Sequence, residues 1–76
     1  MKCFLRVGND FLEDATRCSS KRYAIAEFRA IAEELSQFGQ EIEASIHYAS
    51  KRSELQEYPD FVLSLGPRGG VRCSAA

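Results

Sequence analysis

Residues 21–48 read KRYAIAEFRAIAEELSQFGQEIEASIHY, and two periodicities meet inside that stretch. Ala24, Phe28, Ile31, Leu35 and Phe38 recur at helical spacing, and Gly39 follows as a stop. Ile42, Ala44, Ile46 and Tyr48 then alternate with Glu41, Glu43, Ser45 and His47. The apolar period changes from about 3.6 to about 2 residues within a few positions, the mark of an amphipathic helix followed by a half-buried strand. The fold this predicts is a small α+β domain, with one amphipathic helix packed on one face of a mostly antiparallel sheet.

The helix is expected over Lys21 to Phe38, roughly 27 Å at the usual rise per residue. Ser19 or Ser20 can accept its first free N–H groups as an N-cap. Alanines at 24, 26, 30 and 32 favour the helix and allow close approach to the sheet. Arg29 and Glu33 form an i,i+4 pair on its wet face. Gly39 is suited to the left-handed C′ position that ends a helix.

Working outward, Lys2 to Val7 reads as a first strand, with Cys3, Leu5 and Val7 on one face and Phe4 and Arg6 on the other. Gly8-Asn9-Asp10 is a turn signal. Residues 11–18 are expected to form an irregular second strand in a hairpin with the first. Gln40 to Ala49 is the clearest strand. In the polar connection Ser50 to Asp60, Ser53-Glu54-Leu55-Gln56 matches a capping box, so a single helical turn is expected there. Asp60 to Leu65 is a further strand. Gly66-Pro67-Arg68-Gly69-Gly70 is a tight turn, and Val71-Arg72-Cys73 returns as an edge strand. Residues 73–76 are expected to fray. The order is β-(β)-α-β-β-β in one domain, 1–76. The sheet face away from the helix carries Phe4, Arg6, Glu41, Glu43, Ser45, His47, Val62, Ser64 and Arg72, and is expected to lie in water.

Ten basic and eleven acidic residues leave a net charge of −1, a balance unlike that of a general DNA-coating protein or an acidic DNA mimic. A chain of 76 residues buries a small core, so self-association is compatible with it, through the open sheet face or the 71–73 edge. No apolar run approaches the roughly 18 residues of a membrane span. No signal peptide is visible, because Arg6 interrupts Cys3-Phe4-Leu5. Cys3, Cys18 and Cys73 are odd in number and widely spaced, which fits reduced thiols and a cytoplasmic setting better than a disulfide framework.

Reactive constellations are sparse. The three cysteines and His47 are the residue types of a zinc site, but no close ligand pair such as C-x-x-C exists, so no metal is expected. A Cys–His nucleophilic pair is satisfied by composition alone, without a nucleophile elbow or an oxyanion hole, and His47 reads as a half-exposed strand residue. Glu41 and Glu43 share a face, but an open sheet offers little of the cleft that paired-carboxylate chemistry needs. The glycine-rich turn lacks the Gly-Lys-Ser/Thr ending of a phosphate-binding loop. No catalytic residue and no cofactor are therefore expected. Arg17, Lys21 and Arg22 cluster at the helix N-terminus, and Lys51 and Arg52 form a second basic run. Together these five would carry a nucleic-acid-binding alternative. Glu54, Glu57, Tyr58 and Asp60 suit protein recognition or an ordinary loop.

In size, in its single alanine-rich helix from Ala24 to Leu35 on a small sheet, and in the absence of reactive chemistry, the chain resembles the small accessory proteins of phages and mobile elements, anti-CRISPR proteins among them. That resemblance implies stoichiometric binding to a large host complex, and it carries over no residue position by position. The resulting expectation is a non-enzymatic protein-binding module, with Phe4, Arg6, His47 and Arg72 on the sheet and Arg68 on the turn as its partner surface.

Overall fold

The computed structural model describes residues 1–8, 15–39, 42–66 and 68–76. They form β1 (Lys2–Val7), β2 (Ala15–Cys18), α1 (Lys21–Ser36), β3 (Glu43–Ala49), a one-turn 3₁₀ helix (Arg52–Glu54), β4 (Phe61–Leu65) and β5 (Val71–Ala75). The five strands make one sheet in the order β2-β1-β3-β4-β5, antiparallel throughout, with α1 packed on one face. The α+β class and the strand sequence are those the periodicity predicts.

Alternation decides which side chains meet the helix. Cys3 and Leu5 on β1, Cys18 on β2, Ala44 and Ile46 on β3 and Leu63 on β4 join Ala24, Phe28 and Ala32 of α1 in one core. Val7, Ile42, Tyr48, Phe61, Leu65 and Val71 pack around it. Phe28 is fully buried between Ala24 and Ala32, one turn to either side. The small alanines bring the helix backbone down to the sheet, and Phe28 fills the space that remains. The Lys21 ammonium lies 4.3 Å from the centre of the Phe61 ring, and Tyr48 meets the same ring edge-on at 6.3 Å. Both contacts close the core at the start of the helix.

Ser20 is the N-cap, its hydroxyl accepting from the Tyr23 N–H at 3.3 Å. At the other end the helix stops at Ser36, two residues short of the expected Phe38. The Phe38 N–H turns back to the Leu35 carbonyl, three residues away rather than four, and the ring is 74% exposed. Phe38 belongs to the turn and not to the apolar stripe. Gly39 does adopt a positive φ of 73°, one position beyond C′.

Other boundaries also move. β5 continues to Ala75, paired with Phe61, and the Ala76 N–H reaches the Asp60 carbonyl. Residues 73–75 thus continue the strand where fraying is expected, because β4 offers a ladder partner for each, and Ala76 follows with its bond to Asp60. The single turn in the connection is a 3₁₀ helix that begins one residue before Ser53 and has no side-chain cap. β2 is the expected second strand over Ala15–Cys18, and β3 begins at Glu43. Expectations for Asn9 to Asp14, for Gln40 and Glu41 and for Pro67 lie outside the described residues.

Candidate interaction face

Strand register gathers distant residues on the sheet face opposite α1. Phe4 of β1 lies between Arg17 of β2 and His47 of β3. In the next row Arg6 lies beside Ser45, Ser45 beside Val62, and Val62 beside Ser74. Further along, Ser64 lies between Glu43 and Arg72. Lys2, opposite Ala49, has the same facing. Among the described residues, these sheet positions carry four cations (Lys2, Arg6, Arg17 and Arg72) against the single carboxylate of Glu43. A protein with a net charge of −1 thus presents one locally cationic face.

This face is only half open, which corrects the expectation of an open Phe4 and a half-exposed His47. Phe4 is 3% and His47 2% exposed. The connection between β3 and β4 crosses back over them. The Arg52 guanidinium lies 5.8 Å from the centre of the Phe4 ring, and the backbone of Gln56 and Tyr58 comes up to the His47 ring. Asp60 fastens the crossing: its carboxylate accepts from the Tyr48 N–H, and its own N–H donates to the Ile46 carbonyl, both at 2.8 Å. The reason for the cover is apolar area, because an exposed phenylalanine ring costs roughly 2 kcal/mol relative to a buried one. Phe4 and His47 therefore lie beneath the surface of this face and are not exposed on it.

Next to the cover, the face opens into a groove of about 420 Å³ lined by Arg6, Ile42, Glu43, Ser45, Pro59 and Val62. Val62 is 39% exposed there. Arg72 is exposed on the neighbouring strand, and Arg68 is exposed on the 66–70 turn. That turn is held by the Gly66 N–H to the Gly70 carbonyl (2.6 Å), with Gly69 at a φ of 80° that a side chain would strain. Of the five expected partner residues, Arg68 and Arg72 are thus exposed, Arg6 is half-buried in the wall of the groove, and Phe4 and His47 are buried.

His47 is a buried polar group on this face. Its Nε2 and the Ser45 hydroxyl lie 2.8 Å apart. Burial pushes its pKa below the ordinary histidine value, and the Arg6 charge adds to this. The Gln56 and Tyr58 backbone and the Asp60 carboxylate act in the opposite sense. A serine hydroxyl beside an imidazole is the first half of a nucleophilic pair. Here both residues sit on the central strand β3, paired along its length with β1 and over Glu43–Ile46 with β4.

The alternative basic set does not assemble. Arg17 faces the side opposite α1, Lys21 lies over Phe61 on the helix side, and Arg22 sits with Tyr23 and Ala26 on the outer surface of α1. Lys51 is exposed and Arg52 covers Phe4. What the structure does bring together is Arg17 and Arg52 around Phe4, a pairing that depends on the β1–β2 register.

The cysteines divide likewise. Cys3 and Cys18 are buried on the helix side, whereas Cys73 is exposed on β5, three strand spacings or about 14 Å from β1. His47 faces away from all three. Among the described residues no group of three metal-ligating side chains forms, and no helix is long and apolar enough to cross a membrane. No protein-family model, no curated protein and no solved structure matches the chain.

Proposed function

We propose that this chain is a non-enzymatic binding module that holds an acidic protein surface against the open half of its cationic sheet face. The observation that supports this reading is the half-covered face itself. The crossing segment shields Phe4 and His47 yet leaves Val62 exposed in a groove between Arg6 and Glu43. An apolar spot flanked by Ser45 and Ser74, with Arg6, Glu43 and Arg72 one position further out, has the mixed composition of a protein-contact centre. In this reading the partner is a large host complex engaged stoichiometrically, as in the phage-type inhibitors that the chain resembles. The setting is the cytoplasm.

The test is an affinity pull-down from source-cell or host lysate, treated with nuclease, with the wild-type chain and with Arg6→Ala, Arg72→Ala and Val62→Asp. One stoichiometric protein complex held by the wild type, and weakened ten-fold or more by each variant at unchanged circular dichroism, is the expected result. Equal retention by all four chains would overturn the placement. Arg17 and Arg52 flanking Phe4 favour one second reading, contact with nucleic acid. In that case nuclease would remove what is bound, and affinity would fall steeply with salt.

A further inference from the structure

We propose that Cys3 and Cys18 are a thiol–disulfide site, at which the folded chain closes a cross-strand disulfide by exchange with a small-molecule disulfide such as glutathione disulfide. The two residues are direct partners in the β1–β2 ladder. Both side chains enter the same helix-facing core, so they project from the same side of the sheet. The Gly8 N–H donates to the Glu43 carbonyl, which turns the even-numbered residues of β1 toward β3. The odd-numbered residues, Cys3 among them, then turn toward β2. Cys3 and Cys18 are thus a hydrogen-bonded antiparallel pair, whose α-carbons stand about 5.5 Å apart in such ladders. That is close to the commonest separation across a disulfide.

The present partners of the two sulfurs are weak ones. Cys18 Sγ donates to the Thr16 carbonyl at 3.7 Å, and the Cys3 thiol meets the Tyr48 side chain. Rotation about the Cα–Cβ bonds turns the two sulfurs toward each other, and because the β-carbons of a hydrogen-bonded pair stand about 5.5 Å apart against about 3.8 Å across a disulfide, closing the S–S bond also draws β1 and β2 together at this point. Cys18 reacts first, since it lies at the end of an edge strand beside the exposed Ser19 and Ser20. Its thiolate attacks one sulfur of glutathione disulfide, forms a mixed disulfide and expels one glutathione thiolate. The Cys3 thiolate then attacks the Cys18 sulfur, forming the Cys3–Cys18 bond and expelling the second glutathione. Two protein thiols give up two protons and two electrons, and one glutathione disulfide becomes two glutathione molecules. Burial raises the pKa of both thiols, so the exchange is slow until the edge opens. Cys73 lies too far away to compete for either sulfur within one chain.

The experiment uses the whole chain carrying Cys73→Ser, equilibrated in glutathione buffers of increasing oxidising ratio. It is carried out once on the folded protein and once during refolding from the reduced, unfolded state. Samples are acid-quenched and alkylated, and their peptides are mapped by mass spectrometry. A Cys3–Cys18 linked peptide that grows with the oxidising ratio is expected, together with a melting temperature raised by roughly 10 °C over the reduced form. Adding Cys3→Ser or Cys18→Ser should abolish both effects. Two freely alkylated thiols, or only mixed disulfides with glutathione, at every ratio in both protocols would overturn the proposal. Because refolding removes the barrier of burial, slow access cannot account for such a result.

Discussion

His47 lies under the β3–β4 crossing with its ring hydrogen-bonded to Ser45, and burial holds its pKa below the ordinary histidine value. The unfolded chain binds a proton at the ordinary histidine value near 6.5, and the folded chain does so only at lower pH. Between these two values the unfolded state holds more protons, so stability is complete above about pH 6.5 and falls as the pH drops toward the folded value. Arg6 reinforces this direction, whereas Asp60 and the Gln56 and Tyr58 backbone moderate it. Melting temperatures should therefore decline between about pH 7 and about pH 5 in the wild type, and the decline should be shallower in His47→Gln. Parallel curves for the two chains would show that His47 contributes nothing to this acid sensitivity. The position of His47 on the face opposite α1 was legible from its alternation with Ile46 and Tyr48. Its burial was not, because the cover comes from residues 52–58, whose polar sequence gives no sign of which way the segment crosses.

Among the elements, α1 shows where local sequence decides and where packing overrides it. Ser20 was one of two candidate caps, and the structure selects it by the hydrogen bond to the Tyr23 N–H. Ser20→Ala should cost about 1 kcal/mol. Urea unfolding would register this as a lower midpoint at unchanged slope, and Ser19→Ala should leave the midpoint in place. The C-terminus was misread because Phe38 continues the apolar spacing numerically, whereas the chain has already turned back onto the Leu35 carbonyl. Strands were legible wherever alternation was clean, as in β1, β3 and β4. β5 was read too short because Ser74 and Ala75 carry little strand signal of their own and owe their conformation to the ladder with β4. The candidate face was half legible in the same way. Arg6, Arg68 and Arg72 needed only phasing, but Arg17 needed a register that joins two strands across residues outside any pattern.

At the scale of the whole molecule, the middle of the sheet is joined across the greatest distance in sequence. The hairpins β1–β2 and β4–β5 are local, yet the six-pair ladder between β1 and β3 sets Lys2 against Ala49 and Val7 against Ala44. A loop of about 40 residues must close before that ladder forms, and such closure slows folding more than it affects stability. Refolding followed by stopped-flow fluorescence should accordingly fall in the millisecond-to-second range of non-local sheets, not the microsecond range of helical bundles. A microsecond phase carrying the full amplitude would contradict this. The same order of assembly has a consequence during synthesis. At roughly 5–20 residues per second, Cys3 and Leu5 wait several seconds for Tyr48 and Ile46 to leave the ribosome. Through that interval β1 can pair on one side only, and its other edge remains open to any extended segment that reaches it first.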